Sequence, residues 1–384
     1  MLEVFVVFLR LGLSSFGGPI AHLGYFRRAF VERRRWLDDR TYVELIALCS
    51  FLPGPTSSQV GIAIGTLRAG YPGALAAWLG FTLPSAILMT LVAYGLPLAR
   101  ADTWVHGLLI AAVAVVADAI VRMARVLVPD LREFVIALGA LLVAYVFATT
   151  LGQLGALAFG ALLGITLLRR PQETIAPLSL ALSWRSGALW LGAFALLLVA
   201  LPFAERSGGT AALAASFFRA GALVFGGGHV VLPLLQTAFV PGAIDAGRFL
   251  AGYGAAQIIP GPLFTFAAYL GATVNQGPRG WLGAALATCS IFAPSFFLLF
   301  GIAPFWRDVR SNVFVAAAVR GLGAAVVGLL AAAFVHPIWT SAVRTWLDIV
   351  IVALTFALLR TDRVPVWGAV IFAAVLGGIA TLRH

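Results

Sequence analysis

The chain contains no lysine, and all 26 of its basic residues are arginine. Charge of either sign is scarce, at 11% of 384 residues, where a soluble domain carries about a quarter. With 61% hydrophobic residues and a mean hydropathy of +1.00, this scarcity excludes an ordinary soluble domain and indicates an all-α polytopic membrane protein. Cysteine is nearly absent. Cys49 and Cys289 lie about 240 residues apart in apolar segments, which excludes a disulfide framework and any metal or redox spacing. Reactive constellations are missing too: no Gly-x-Ser-x-Gly, no His-Glu-x-x-His, no Walker loop and no paired carboxylates. The sequence therefore reads as a non-enzyme without a cofactor. Any transport it performs would draw on an ion gradient or a potential rather than on ATP in this chain. The net charge of +11 is not interleaved with aromatics in a soluble domain, so it reads as a positive-inside signal and not as nucleic-acid binding. Leu2–Leu9 follows Met1 without a small-residue cleavage site, so the first segment reads as a retained span.

What is abundant is apolar sequence, broken in particular places. The segments are Leu2–Leu23, interrupted by Phe16–Gly17–Gly18–Pro19, then Thr41–Leu67, Gly73–Leu98, Trp104–Val128 and a close pair, Phe134–Thr150 and Gln153–Leu168. A lone span, Trp184–Leu201, follows. Then come Ala211–Leu235, Phe249–Val274, Gly280–Ile302, Val313–Val335 and a second close pair, Trp346–Leu359 and Pro365–Leu382. These give about 10–13 transmembrane segments, the members of each pair being short for a bilayer.

The two halves repeat. Arg10-x-Gly12 matches Arg219-x-Gly221, and Phe16–Gly17–Gly18 matches Phe225–Gly226–Gly227. Pro53–Gly54–Pro55 matches Pro260–Gly261–Pro262, and Phe81–Thr82–Leu83–Pro84–Ser85 matches Ile291–Phe292–Ala293–Pro294–Ser295. The offset stays between 207 and 210. The expected organisation is an N-terminal repeat (1–172), a linker with one span (173–210) and a C-terminal repeat (211–384). The loop Gly24–Arg40 carries six arginines and its counterpart Pro233–Arg248 only Arg248. The positive-inside rule puts these loops on opposite sides, which makes the repeats inverted in topology. Inverted repeats with broken helices are a common plan of secondary transporters, with the substrate near the midplane.

Proline lacks an N–H and clashes with the preceding turn, so each Pro-Gly-Pro must break its helix. The half-helices, Thr41–Leu52 with Thr56–Leu67 and Phe249–Ile259 with Leu263–Val274, are roughly 18 Å long, too short to span alone. The half after each break begins with free N–H groups and the positive end of a dipole, which suits an anion. Thr56, Ser57 and Ser58 add hydroxyls in the first copy and Thr265 in the second, and Ser50 and Gln257 stand three residues before the breaks. The candidate binding set is thus Pro53, Gly54, Pro55, Thr56, Ser57, Ser58, Pro260, Gly261, Pro262, Thr265 and Gln257. Gly17, Gly18, Gly226 and Gly227 join the candidate binding set: adjacent glycines permit close approach of the backbone to a bound ion, or else tight helix crossing. Arg10 and Arg219, at matched positions in apolar segments, offer a guanidinium fork to an oxyanion or snorkel to the interface. Glu44 is the candidate proton-coupling group. Asp118, Arg122 and Arg125 share a helix face and read as an internal ion pair near a membrane end. His22 and His229 read as structural.

Phe16–Gly17–Gly18–Pro19, Leu52–Pro53–Gly54–Pro55–Thr56–Ser57–Ser58–Gln59–Val60, Phe225–Gly226–Gly227–Gly228 with Val230–Val231–Leu232–Pro233–Leu234–Leu235–Gln236, and Gln257-x-x-Pro260–Gly261–Pro262 with Phe266–Ala267–Ala268 resemble the long two-domain members of the chromate ion transporter family. Ser50 stands where members often have glutamine, and His229 where tyrosine is common. The resemblance implies efflux of chromate across the inner membrane by a multi-pass secondary transporter, coupled to potential or protons, and hence chromate resistance. Sulfate or another small anion is the alternative substrate, and a passive anion channel the alternative mechanism. The expected partners are the oxyanion and the lipid bilayer, with a homodimer as one allowed assembly.

Overall fold

The computed structural model describes residues 1–95, 102–170, 180, 182–225, 228–361 and 363–381, and no β-strand occurs among them. The first half runs α1 (Leu2–Ser14), α2 (Gly18–Phe26), a π-helix (Arg27–Arg33), α3 (Asp39–Phe51), α4 (Thr56–Gly95), α5 (Asp102–Leu127), α6 (Leu131–Val146) and α7 (Thr150–Leu167). Then come α8 (Trp184–Ser207), α9 (Gly209–Leu223), a 3₁₀ turn (Gly228–Val230), α10 (Val231–Phe239), α11 (Ala246–Ala256), a second 3₁₀ turn (Leu263–Thr265), α12 (Phe266–Thr273) and α13 (Gly280–Ile302). The chain finishes with α14 (Trp306–Ser311), α15 (Val313–Ala333), a π-helix (Phe334–Trp339), α16 (Thr340–Ala342), α17 (Trp346–Arg360) and α18 (Val366–Thr381).

Both expected breaks are present. Helix α3 ends at Phe51 and α4 begins at Thr56. The second break is wider, because α11 stops at Ala256 and a 3₁₀ turn precedes α12. Gly54 and Gly261 carry φ of 126° and 110°, a backbone region open to glycine and strained for other residues. Helix α4 is itself two helices across a kink at Ala69–Gly70, which ends the first half-helix near where the sequence places Leu67.

Six described helices are long and apolar enough to cross a membrane: α4, His106–Leu127 of α5, α7, α8, and the runs Gly280–Ser311 and Val313–Ala342. The other expected spans consist of shorter pieces, the halves of the broken helices and hairpin arms such as α6 and α17, of 16 and 15 residues. The protein is a multi-pass, all-helical membrane protein. Helix α8 rests on α9 and α13 at the periphery; only 6% of its apolar window is buried, as expected of a lipid-facing span.

Packing follows the repeat with an exchange. Helix α1 lies on α4 and α9 on α13, within each half. The α6–α7 hairpin of the first half instead packs on α15 of the second, and the α17–α18 hairpin on α5 of the first. Both exchanged contacts run through glycine: Gly160 and Gly164 meet Gly321, and Gly107 meets Ala374 and Gly377. Small residues let backbones approach closely where lipid supplies no hydrophobic drive between helices.

Candidate functional site

The four motifs of the repeat converge crosswise. The Gly54 N–H donates to the Val224 carbonyl at 2.7 Å, and the Gly261 N–H donates to the Ser15 carbonyl at 2.9 Å. Each Pro-Gly-Pro is thus tied to the residue just before the Phe-Gly-Gly of the opposite half. A second pair repeats the exchange: the α carbon of Gly54 faces Ser295, and that of Gly261 faces Ser85. A backbone group freed by a helix break within a membrane must find a partner in protein. Here the central N–H of each break finds it in the other half.

A side-chain chain reinforces the junction. His22 is buried, with Nδ1 3.2 Å from Ser57 Oγ and Nε2 3.2 Å from the Ser15 carbonyl. A carbonyl only accepts, so Nε2 carries a proton and donates to it, leaving Nδ1 to accept from the Ser57 hydroxyl. Ser57 of the first break is thereby linked through His22 and Ser15 to Gly261 of the second. Gln59 donates from Nε2 to the Pro53 carbonyl at 2.7 Å, bridging the first break. Around this junction Ser15 Oγ, Ser58 Oγ, Gln59 Oε1, Thr82 Oγ1 and Ser295 Oγ are buried without a hydrogen-bond partner among the described residues. Such atoms are costly to leave unmatched, and their clustering marks polar capacity available to a ligand.

Beside the junction lies a cavity of about 550 Å³. Gly17, Gly18, Gly228, His229, Gln257, Gly261 and the Asp118–Arg122 pair are among its lining residues. Two helical N-termini border it, that of α2 at Gly18 and that of the 3₁₀ turn leading into α10 at Gly228. Arg122 donates from Nε to Asp118 at 2.6 Å and from Nη2 to the Leu359 carbonyl at 2.9 Å, and Arg360 stands 3.4 Å from the same carboxylate. His229 Nδ1 is 2.6 Å from the Tyr253 hydroxyl. An arginine fork, amide and imidazole groups and two dipole ends around one cavity suit a small oxyanion.

Of the residues singled out from sequence, Gly17, Gly18, Gln257 and Gly261 line this cavity. Gly54, Ser57 and Ser58 belong to the junction beside it, with Pro53 and Pro55 flanking Gly54. Thr56 is half-buried at the start of α4. Thr265 spends its hydroxyl on the carbonyl of Pro262, 2.8 Å away in its own turn, and Pro260 is half-buried beside it. Gly226 and Gly227 lie outside the described residues. The two matched arginines stand elsewhere: Arg10 lines a separate recess, and Arg219 pairs with Glu205 at 2.5 Å. Glu44 is buried in an ion pair with Arg310 of the second half at 2.5 Å.

Three further residues stand at the junction and the cavity. His22, read as structural, bridges the junction, and His229, read the same way, lines the cavity. Arg122 is the third. Its i, i+4 spacing from Asp118 gives a shared helix face but not what that face looks upon.

The family model for chromate transporters matches residues 2–165 and 211–379. A chromate transport protein of Pseudomonas aeruginosa is 30% identical over 86% of this chain and 79% of its own length. One of Cupriavidus metallidurans is 27% identical over 87% and 81%, and a probable chromate transport protein of Synechococcus elongatus 27% over 85% and 82%. No solved structure matches. With the family model covering most of its length, the chain belongs to the chromate transporter family.

Proposed function

We propose that the protein is a secondary transporter that exports chromate across the inner membrane and thereby confers chromate resistance. Its halves, 1–172 and 211–384, act as inverted-topology repeats joined by the linker 173–210. The observation that supports this reading is the crosswise tie of the two breaks beside a cavity holding Arg122 and Gln257. At about 550 Å³ the cavity has room for a dianion with much of its hydration water, at about 30 Å³ per water. The relatives named as chromate transport proteins support the substrate.

The functional roles then divide. The N-termini at Gly18 and Gly228 and the guanidinium of Arg122 balance the charge. The amide of Gln257 and the hydroxyls of Ser15, Ser58 and Ser295 replace water. Everted membrane vesicles tested with labelled chromate, with and without excess sulfate and an uncoupler, examine each part. The expected result is saturable, uncoupler-sensitive uptake. Gradient-independent flux would remove the coupled carrier in favour of a channel, and uptake of sulfate without chromate would replace the substrate.

A further inference from the structure

A second recess, of about 490 Å³, lies between α1 and the segment after α2, and it is lined by Arg10, Arg28, Arg33 and Arg34 together with Tyr25 and Ser14. Its construction depends on the π-helix Arg27–Arg33. On an α-helix, positions five apart stand roughly 140° away from one another. The i→i+5 bonding of a π-helix brings them about one turn apart, nearly in line. The Arg34 N–H donates to the Ala29 carbonyl at 3.1 Å, which is that bond. Arg28 and Arg33, like Ala29 and Arg34, are therefore stacked toward the same opening, and all four line it. Arg10 joins them from α1.

Little on the protein neutralises these cations. No carboxylate partner stands against Arg10, Arg28 or Arg33 among the described residues, and Arg34 reaches Glu3 only at 3.6 Å. By contrast Arg27, on the same π-helix but outside the recess, is fully engaged by Glu32 at 2.7 Å and Asp39 at 2.8 Å. Tyr25 lines both this recess and the central cavity, and the Arg28 guanidinium lies over its ring at 5.0 Å. Tyr25 is thus the residue that the arginine recess and the cavity have in common.

We propose that this recess is a second anion site, an antechamber on the arginine-rich side that captures a tetrahedral oxyanion before it passes Tyr25 into the central cavity. The assignment of chromate as the captured ion rests on the transport reading above; the anion site itself does not. Screening at an open site lowers the gain per contact, so Arg10 and Arg33, two of the three recess arginines without a carboxylate, contribute about tenfold in affinity together. The contribution weakens as ionic strength rises.

The test compares R10Q/R33Q with R35Q/R40Q, which removes the same charge from outside the recess. Membrane insertion of each is confirmed first. Chromate uptake into everted vesicles is measured, together with equilibrium dialysis of labelled chromate and sulfate against the purified full chain, with and without added phosphatidylglycerol. The expected result is KM raised about tenfold in R10Q/R33Q with kcat within about twofold, matching loss of dialysed anion, and no change in R35Q/R40Q. Equal effects of the two pairs would reduce the recess to diffuse surface charge and overturn the proposal, as would an unchanged KM with unchanged binding. Displacement of chromate by phosphatidylglycerol, with lipid retention lost in R10Q/R33Q, would make the site a headgroup site and overturn the antechamber. If vesicles carry no chromate but anion binding still needs Arg10 and Arg33, the transport reading falls and the anion site stands.

Discussion

Replacing Gly261 with alanine probes the junction of the two halves at its tightest point. Three costs add. At φ 110° an L-residue is held in a sparsely populated region at about 1–3 kcal/mol. The new Cβ would stand 2.7 Å from Ser85 Oγ and 3.0 Å from Ser85 Cβ. Ser85 donates its hydroxyl to the Thr82 carbonyl at 3.0 Å, so turning it away forfeits about 0.5–1.5 kcal/mol. The Ser85 Cβ cannot turn, so α4 itself must shift, an overpacking strain of about 1–3 kcal/mol. The expected destabilisation is roughly 3–7 kcal/mol.

The contact share can be separated from the backbone share. S85G removes both obstructing atoms, so the cycle of G261A, S85G and the double variant should show a favourable coupling of about 2–4 kcal/mol. Gly18→Ala is the control for backbone alone: its φ is 78° and nothing lies within 4 Å of its Cβ position, which leaves about 1–2 kcal/mol. Chemical denaturation in detergent gives the energies, and chromate uptake per inserted molecule gives the function. Flux should fall in G261A and return in part in the double variant. Additivity within about 0.5 kcal/mol, or wild-type flux in G261A, would refute the contact between Ser85 and the second break.

Other expectations follow from the same geometry. Ser58 Oγ has no partner among the described residues, so S58A should leave stability unchanged or slightly raised while weakening chromate affinity; loss of stability without loss of affinity would remove Ser58 from the binding set. Breaking the Glu44–Arg310 pair by E44A should cost about 3–5 kcal/mol, with the double variant E44A/R310M less affected; a double variant worse than E44A, measured by denaturation, would contradict an ion pair as the main role of Glu44. For topology, cysteines replacing Arg35 and Gly242, both exposed, in a background lacking Cys49 and Cys289, should react with impermeant maleimide from opposite faces, and labelling from one face would reject the inverted repeat.

The parts legible in the sequence are those fixed by local covalent chemistry. Two prolines around a glycine stop a helix wherever they occur, so α3 ends at Phe51, one residue before the expected Leu52, and α4 begins at Thr56 as the sequence places it. The partner of the freed N–H is a tertiary matter. Nothing near Gly54 announces that Val224, in the other half, accepts from it. Helical spacing likewise puts Asp118 and Arg122 on one face but cannot say that the face lines a cavity. The arginines of Gly24–Arg40 read as a topology signal because their sum is visible. Their convergence is not, since five-residue spacing aligns side chains only once the π-helix exists. Arg10 and Arg219 match in sequence yet differ in surroundings, because Glu205, which pairs with Arg219, lies in α8, between the two segments that the family model matches.

The exchanged hairpins carry the last expectation. A Cβ on Gly321 would fall on the Gly160 carbonyl oxygen and against the Gly164 backbone. These are backbone atoms, so no rotamer relieves the contact and α15 must move away from α7. Alanine is the better helix former by about 1 kcal/mol, so intrinsic propensity favours G321A. Overpacking opposes it by about 1–3 kcal/mol, and lost dispersion along the separated helices adds to that. Packing should win, and G321A should be destabilised. Gly192, on lipid-facing α8, has nothing within 4 Å of its Cβ position, so G192A should gain about 0.5–1 kcal/mol from propensity alone. The opposite signs of one chemical change separate tertiary contact from helix propensity. Helix α7 belongs to the first half and α15 to the second, so the G321A loss measures how firmly the halves are held together. Denaturation in detergent reads both variants, and a G321A protein as stable as G192A would mean that the glycine crossing does not join them.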